Sequence, residues 1–454
     1  MKTRVHDLIC ALVLTLCCGA AHAQWRHTVQ DPLFVGGSTH CIAMGVDANG
    51  NVDALFQDAT TANASPVTFV IAQYSQAGAK IWERTGPSNC TPLSLLVQKT
   101  GDIYITAEQT SSTPAPMLFH LASDGTYLFA RTYIGVPFGA TPIEAPGGVV
   151  ADSNGNISIA LGGQRLVSTN TEYIAVVMKV NSNGFPMWTS SYTGTGGTAL
   201  AGIATDSAGN VIFEGTRFAS ASSLATSSQL TGMFASGTGQ LVWTRQYHDS
   251  VGGADLGQNL VVDTLSGAIF TVGSARVSAT VEGVVLQKLD DSGQVFWRHV
   301  LSDGPFDLAV YPNIAIDAND DVFIAGSQNG QPGIAQFDAN GDFRWLRRYA
   351  LPAGFISIFN NNSTSNLVVT KSGNAILDAS MVSTANGGTS YLIVLKYSPT
   401  GDRLSADFAK APTGFDILTD PAGLASDLSG HIDWIADQFP ATGTGFAGVI
   451  GQFP

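Results

Sequence analysis

The stretch VVADSNGNISIALGG, residues 149–163, contains the pattern that decides the fold. The tetrapeptide DSNG, at 152–155, stands between two short runs that are rich in apolar and β-branched residues. An aspartate accepts hydrogen bonds from the backbone that follows it, and a glycine adopts the positive φ that closes a tight turn. The second run alternates apolar with small or polar residues, as half-buried strands do. The stretch therefore predicts a β-hairpin.

This hairpin pattern occurs eight times, with a period of about 54 residues. The aspartate, or the glutamine or threonine that replaces it in two weaker copies, stands at positions 47, 98, 152, 206, 263, 317, 370 and 427. A turn already explains the aspartate and the glycine, and the copies lack the full ligand series of a calcium loop. We therefore expect no metal at these turns.

A second hairpin follows the first in each repeat, and an aromatic residue marks its last strand. In VIAQYSQAGAKIWERTG, residues 70–86, the aromatic residue comes four positions after the glycine of the turn. The same offset gives the series Trp82, Phe129, Trp188, Trp243, Trp297 and Trp345. A large residue at one fixed place in every repeat is typical of packing between repeats. We prefer that interpretation to a row of rings that stack on a ligand.

Four antiparallel strands per repeat, here named a to d, predict an all-β fold, an eight-bladed β-propeller of four-stranded blades. The repeats begin near residues 41, 93, 147, 200, 258, 312, 365 and 422. The last repeat stops after strand c, and QWRHTV at the start of residues 24–30 resembles a strand d without its blade. We expect this strand to complete the last blade and to place Trp25 in the series of aromatic residues.

Two details of the repeats leave the number of blades open. The seventh repeat has no aromatic residue at the expected offset after Gly401, so its strand d is the least evident. The second and seventh repeats also carry the weaker turns. A ring of seven blades is the alternative if one of these repeats is not a full blade.

Residues 1–23 have the features of a signal peptide, with a basic start, a short apolar run and the small-x-small sequence AHA before Gln24. We therefore expect an exported protein, periplasmic or secreted, that consists of one domain over residues 24–454. The formal charge of −14 for the whole chain argues against nucleic acid and anionic membranes as partners. No long apolar run follows the signal, and we expect a monomer.

Two of the five cysteines, Cys41 and Cys90, lie outside the predicted signal peptide. In an exported protein a pair of cysteines favours one structural disulfide. Both stand at the starts of strands a in consecutive repeats, which should be neighbours in a propeller. We therefore expect a disulfide that joins the first two blades.

The two hairpin motifs resemble those of bacterial β-propeller repeat proteins of the quinoprotein-like, or SBBP-type, superfamily. The features that carry the resemblance are the D-x-x-G-N hairpin, as at Asp152 and Asp206, and the G-x-x-x-W hairpin, as from Gly239 to Trp243. Together they cover nearly all of residues 24–454. The resemblance implies the propeller fold, but such a fold serves many unrelated functions.

Two groups of relatives in that superfamily bracket the function. Quinone-dependent alcohol dehydrogenases hold pyrroloquinoline quinone (PQQ) with calcium beside a vicinal disulfide, and here the vicinal pair Cys17-Cys18 lies in the predicted signal peptide. We therefore expect no cofactor. A periplasmic propeller lipoprotein instead helps to assemble outer-membrane proteins, but this chain has no small residue before Cys17, where a lipobox requires one.

Propellers commonly bind ligands on the d–a and b–c loops at the mouth of the channel. Polar residues in the d–a segments are therefore the candidates for binding: His40, His248, Asp249, Asp255, Asp307, Tyr311, Asp416 and Asp420. The segment YHDSVGGADLG at 247–257 is the richest of them. No zinc-ligand, nucleophile-elbow or phosphate-loop motif is present. We assign no catalytic residue and no metal ligand.

Two functions remain after these exclusions. The first is a non-catalytic scaffold in the cell envelope that binds a protein or a glycan. The alternative is an enzyme at the channel mouth, either a quinone-dependent dehydrogenase or a glycan-acting hydrolase or lyase, for which a His-Asp pair could supply a general base.

Overall fold

The structure is a computed structural model, and it describes most of the chain after the predicted signal peptide. The described residues are 25–29, 38–59, 67–110, 114–135, 148–167, 170–194, 196–220, 226–248, 253–278, 282–302, 310–328, 331–357, 367–384, 390–410, 415–418, 423–427, 430–440 and 447–453. The predicted signal peptide, residues 1–23, lies outside them. No helix that could span a membrane occurs among the described residues.

The chain forms an eight-bladed β-propeller, as the repeats predict, and each blade is an antiparallel sheet. Blade 1 consists of β2 (Ser38–Val46), β3 (Val52–Ala59), β4 (Val67–Tyr74) and β5 (Lys80–Thr85). Blade 2 consists of β6 (Cys90–Val97), β7 (Ile103–Gln109), β8 (Ala115–Leu121) and β9 (Tyr127–Thr132). Blade 3 consists of β10 (Val149–Ala151), β11 (Ile157–Val167), β12 (Asn170–Val180) and β13 (Pro186–Tyr192). Blade 4 consists of β14 (Thr198–Thr205), β15 (Val211–Arg217), β16 (Ser228–Phe234) and β17 (Leu241–Tyr247).

The second half of the ring repeats this arrangement. Blade 5 consists of β18 (Leu256–Val262), β19 (Ile269–Arg276), β20 (Glu282–Leu289) and β21 (Val295–Leu301). Blade 6 consists of β22 (Val310–Ile316), β23 (Val322–Gln328), β24 (Gln331–Phe337) and β25 (Phe343–Arg348). In blade 7 strand a is divided into β26 (Phe355–Ser357) and β27 (Leu367–Val369), followed by β28 (Ala375–Ser383), β29 (Ser390–Tyr397) and β30 (Arg403–Lys410). The seventh repeat thus has a strand d, and the seven-bladed alternative is wrong.

Blade 8 is built from both ends of the described chain. Its strand a is divided into β31 (Phe415–Leu418) and β32 (Leu424–Ser426), and β33 (Ile432–Pro440) and β34 (Ala447–Phe453) follow. The N-terminal strand β1 (Trp25–Val29) pairs antiparallel with β34, from Trp25 opposite Gln452 to Val29 opposite Gly448. The predicted closure of the ring by strand d is therefore confirmed.

The a–b turns follow from the Asp-x-x-Gly pattern. In blade 1, one carboxylate oxygen of Asp47 accepts hydrogen bonds from the backbone N–H groups of Asn49 and Asn51, both at 2.8 Å. The second oxygen accepts one from the side-chain amide of Asn51 at 2.9 Å. Gly50 has a φ of 78°, which an L-residue rarely adopts. The aspartate therefore serves its own turn.

The hydrophobic core is distributed over the seams between blades. Each of the eight seams holds a cluster of buried side chains that comes from the two sheets beside it. The seam between blades 8 and 1 contains Phe56, Ile435 and Ile450, so the closing blade shares a core with the first one. No single blade could bury these faces alone, and the stability of the ring depends on the seams.

The aromatic residues of the d strands join each blade to the next. The indole N–H of Trp82, in blade 1, donates to the carbonyl of Ser123 in the c–d turn of blade 2 at 3.0 Å. The equivalent bonds join Trp188 to Ser236, Trp243 to Asp291, Trp297 to Ala339 and Trp345 to Pro399. Phe129 packs on Gly184 of the next blade in the same way.

Trp25 makes the corresponding contact across the closing seam. Its indole N–H is 3.2 Å from the carbonyl oxygen of Gln76 in the c–d turn of blade 1. The ring lies on Gly78, where the Cβ of any other residue would overlap the indole. The closing strand therefore joins blade 8 to blade 1 as the other d strands join their blades.

The expected disulfide between Cys41 and Cys90 is wrong, because neither cysteine forms a disulfide and both are buried. Cys41 lies in the seam between blades 8 and 1, where its thiol donates to the carbonyl of Ala436 at 3.1 Å. Cys90 lies in the seam between blades 1 and 2, with its sulfur 3.9 Å from that of Met117. The two side chains thus occupy different seams, on either side of blade 1. Burial raises the pKa of the Cys90 thiol to about 12, so the reactive thiolate is disfavoured.

Candidate functional site

Two of the predicted channel-mouth residues, His40 and His248, each pair with an aspartate. His40, at the start of strand a of blade 1, is 2.9 Å from a carboxylate oxygen of Asp437 in β33 of blade 8. The other oxygen of Asp437 accepts the backbone N–H of Cys41 at 2.7 Å. The pair joins the first blade to the last. It therefore lies at the closing seam, and its carboxylate is buried.

His248 and Asp255 form the second pair, with 2.9 Å between Nδ1 and a carboxylate oxygen. His248 follows β17 of blade 4, and Asp255 precedes β18 of blade 5. Asp255 is fully buried, whereas the imidazole of His248 is 41% exposed and also lies 3.1 Å from the carbonyl of Ser227. The pair holds the d–a connection of blades 4 and 5 against the b–c connection of blade 4.

The two pairs lie at different positions on the ring. One is at the seam of blades 8 and 1, and the other at the seam of blades 4 and 5, half a turn away in a ring of eight blades. The structure therefore does not bring the two histidines together. Each imidazole faces a carboxylate of its own seam.

The structure describes the other candidate residues only in part. Tyr311 lies in β22 and Asp416 in β31, but only their backbones are described. Asp249, Asp307 and Asp420 lie outside the described residues. Among the described residues, no group of three His, Cys, Asp or Glu side chains is placed to hold a metal ion.

Sequence reasoning missed Asp437, which stands almost four hundred residues from His40. It lies ten positions after the turn aspartate of its repeat, where the other repeats have no common residue type. No repeat-based pattern could therefore have identified it. The one signal that the sequence offers for this residue is an aspartate near the end of a predicted strand b.

A layer of polar side chains was also missed, on the c strands near the c–d turns. Lys179 is fully buried and lies 2.8 Å from the carboxylate of Asp152 in the same blade. It also donates to the carbonyl of Gly209 in blade 4 at 2.7 Å. In blades 1 and 8 this position holds Gln73 and Gln452. These residues tie turns together inside the ring and are not open to a ligand.

Two carboxyls of this layer lie in neighbouring seams, Asp433 in the closing seam and Asp53 in the seam between blades 1 and 2. Gln73 donates to Asp53 at 3.3 Å, and Gln452 donates to Asp433 at 2.8 Å. Burial raises the pKa of Asp53 to about 8 and that of Asp433 to about 7. Both carboxyls therefore retain their protons in the folded protein at pH values where exposed aspartates are ionised.

The outer strands of the ring form a different kind of surface, because they carry exposed apolar residues at a regular position. The residue directly before the aromatic one is exposed and apolar in five blades, and the corresponding residue of blade 7 is too: Ile81, Leu128, Met187, Val242, Phe296 and Leu404. An exposed row of this kind is unusual for a surface that meets only water.

Comparison with known proteins identifies the fold. No protein-family model matches the sequence, and no curated protein matches it. Among solved structures, Sqt1 of Chaetomium thermophilum bound to the N-terminus of the ribosomal protein L10 is 12% identical, with 92% of this chain and 98% of that chain covered and a TM-score of 0.51.

Two further neighbours have lower scores. The β-propeller domain of the Trilobed protease from Pyrococcus furiosus is 8% identical, with 81% of this chain and 98% of that chain covered and a TM-score of 0.44. A protein of unknown function from Bacteroides caccae is 12% identical, with 62% and 85% covered and a TM-score of 0.35. At these identities the similarity concerns the β-propeller fold and no shared function.

Proposed function

We propose that this chain is an exported, non-catalytic β-propeller that acts as a binding scaffold for a protein or glycan partner in the cell envelope. In this proposal the chain belongs to the quinoprotein-like repeat superfamily, works as a monomer and needs no cofactor. The leader-like residues 1–23 support export, and the repeated D-x-x-G-N and G-x-x-x-W hairpins support the superfamily.

The observation that carries the proposal is the use of the two His–Asp pairs within the ring. His40 and His248 each face an aspartate of their own seam, and the two seams are half a ring apart. One His–Asp pair can supply a general base, but each of these pairs bridges segments of the ring: His40 joins blade 1 to Asp437 of blade 8, and His248 joins Asp255 and the carbonyl of Ser227. Two separated pairs instead stabilise blade contacts, which suits a scaffold.

The outer rim gives the proposal a surface on which a partner can bind. Its exposed apolar residues recur blade after blade, as they would on a platform that makes contacts along its perimeter. The seams beneath it are well packed, so the platform is rigid. A rigid surface binds a partner at a low cost in conformational entropy.

The proposal is tested first by export and then by binding. A cell that expresses the full chain should release a product that begins at Gln24 and fractionates with the envelope or the medium. The purified product should then be immobilised and incubated with solubilised envelope proteins and with a glycan array. We expect saturable binding of one class of partner, without consumption of the partner.

The enzyme alternative predicts a different set of results. Incubation with PQQ and calcium would give a bound chromophore and dye reduction, or a glycan would be cleaved. Such turnover would have to disappear in His40→Ala or His248→Ala. Turnover with that dependence would overturn the scaffold proposal, and retention of all product in the cytoplasm would overturn export.

A further inference from the structure

The outer strands of the ring differ in charge from the rest of the chain. The eight d strands contain eleven of the 21 lysines and arginines, whereas Glu83 and Asp407 are their acidic residues. Their formal charge of +9 contrasts with −14 for the whole chain. Basic residues on edge strands hinder edge-to-edge association, which accounts for part of this pattern.

Strand β21 of blade 5 shows a feature that protection against association does not explain. Its side chains alternate strictly, with Phe296, Arg298 and Val300 exposed and with Trp297 and His299 turned toward blade 6. Phe296 is 60% exposed and Val300 is 38% exposed. An edge that only resists association would not place two exposed apolar residues beside its one positive charge.

Within the described part of the chain, Arg298 is held in place by groups other than a carboxylate. Its Nε–H donates to the side-chain oxygen of Gln287 at 2.7 Å, and its guanidinium lies 4.7 Å from the centre of the Tyr247 ring of blade 4. Among the described residues no carboxylate forms an ion pair with it. Burial also lowers the pKa of Arg298, and the neighbouring Tyr247 offsets only part of this loss of solvation. An incoming carboxylate would offset it.

The backbone of β21 is also available on its outer side. Within the described part of the chain, β21 is hydrogen-bonded to β20 and is the last strand of its sheet. An extended peptide can add to such an edge through main-chain hydrogen bonds, while its alternate side chains contact one face of the sheet. The residues opposite Phe296, Arg298 and Val300 would be two positions apart on that peptide.

We propose that β21 binds an extended segment of a partner protein as a fifth strand of blade 5, and that this segment carries an aspartate or glutamate between two apolar residues at positions i, i+2 and i+4. The inference rests on the proposed scaffold function and specifies its partner. A second copy of the chain fits less well, because an antiparallel pair of β21 strands centred on Arg298 would bring two guanidinium groups together.

The test uses short labelled peptides and the purified chain that begins at residue 24. The probe is a nine-residue peptide with Val, Glu and Val at alternate positions and Thr between them, followed by fluorescence anisotropy. We expect saturable binding that weakens about tenfold or more when Lys replaces the central Glu. Methylation of alternate backbone nitrogens on the paired edge should abolish the binding, since a methylated nitrogen cannot donate to β21.

Protein variants locate the site. Arg298→Gln should weaken the Glu peptide about tenfold and leave a peptide with a central Gln unchanged, and Phe296→Ser should weaken both. Arg245→Gln is the control, because Arg245 is an exposed arginine on strand d of the neighbouring blade 4, one position further from its tryptophan than Arg298 is from Trp297. Thermal unfolding of each variant shows whether the ring is intact.

Several results would overturn the inference. These are equal binding of the Glu and Lys peptides, full binding of the methylated peptide, unchanged affinity in Arg298→Gln, or no binding of any peptide. If the chain dimerises and Arg298→Glu strengthens the dimer, the occupant of β21 is a second copy of the chain and not a partner peptide. If the chain sediments with vesicles of anionic lipid, the occupant of β21 is a membrane surface and not a partner peptide. If an envelope partner still binds while the peptides do not, the proposed function stands and the site at β21 fails.

Discussion

The buried carboxyl of Asp53 makes the stability of the ring depend on pH in a direction that the structure fixes. Burial raises its pKa to about 8, a nearby Asp47 acts in the same direction, and the hydrogen bond from Gln73 opposes both. In the unfolded chain the carboxyl titrates near pH 4. The folded protein therefore holds a proton at Asp53 that the unfolded chain releases between about pH 4 and pH 8.

The sign of the effect follows from this difference in proton binding. The contribution of Asp53 to stability is fully present below about pH 4 and is lost as the pH rises toward 8. One proton corresponds to about 1.4 kcal/mol of unfolding free energy per pH unit. Between pH 5 and pH 7 the loss at this one carboxyl is therefore about 3 kcal/mol.

Asp53→Asn removes the titrating group and leaves an amide of the same shape, whose oxygen can accept the bond from Gln73. We expect the unfolding free energy of the variant to fall less steeply than that of the parent protein, by about 1.4 kcal/mol per pH unit. A constant difference in stability between the two proteins does not affect this slope. Urea unfolding at pH 5, 6 and 7, followed by tryptophan fluorescence, measures it.

Asp291→Asn is the control, because it removes a carboxylate from an exposed turn. It should leave the slope as it is in the parent protein. Asp433→Asn, at the carboxyl with a raised pKa in the closing seam, should reduce the slope as Asp53→Asn does, up to about pH 7. If the parent protein and Asp53→Asn have the same slope, Asp53 is ionised in the folded state and the reasoning from burial is wrong.

Three further predictions concern the packing of the blades. Trp82→Ala should lower the unfolding free energy in urea by about 3 kcal/mol, because it removes a buried ring and a bond to the next blade, and an unchanged value would show that the seam does not depend on this residue. Lys179→Met should lower the unfolding free energy by about 3–5 kcal/mol, because it leaves the buried Asp152 carboxylate without its counter-ion. Asp152→Asn in the same chain should restore much of this loss. Thiol titration without reductant should find Cys41 and Cys90 unreactive in the native protein and both reactive in urea, whereas no reactive thiol in urea would mean a disulfide.

The sequence predicted the architecture because the fold repeats and each repeat uses the same local chemistry. A turn aspartate accepts its bonds within five residues, as Asp47 does, so the signal is readable without tertiary knowledge. The aromatic residues stand at a fixed offset because each packs on the glycine of the next turn. Counting strands then identified the N-terminal strand as the missing member of blade 8.

The contacts between repeats could not be predicted in the same way. The neighbouring starts of two strands a predicted that Cys41 and Cys90 meet. A β-bulge between Cys41 and Ala43, and the side of the sheet that each thiol faces, instead place the two thiols in different seams. The pairing of His40 with Asp437 joins opposite ends of the chain. A repeat pattern holds no information on such a contact. The polar layer around Lys179 varies in residue type, so it left no common motif.

Closure of the ring by β1 is the claim on which the fold and its rigid rim depend, and deletion of residues 24–30 tests it most directly. In the intact protein β34 is buried and pairs along its outer edge with β1, and Trp25 joins blade 8 to Gln76 of blade 1. The deletion should lower the melting temperature by roughly 10 °C or more and remove the protection of the β34 amides from hydrogen exchange. Thr28→Ala, an exposed position of the same strand, should change neither, and the free peptide of residues 24–30 should restore part of the loss. An unchanged melting temperature with β34 still protected would contradict closure by the N-terminal strand.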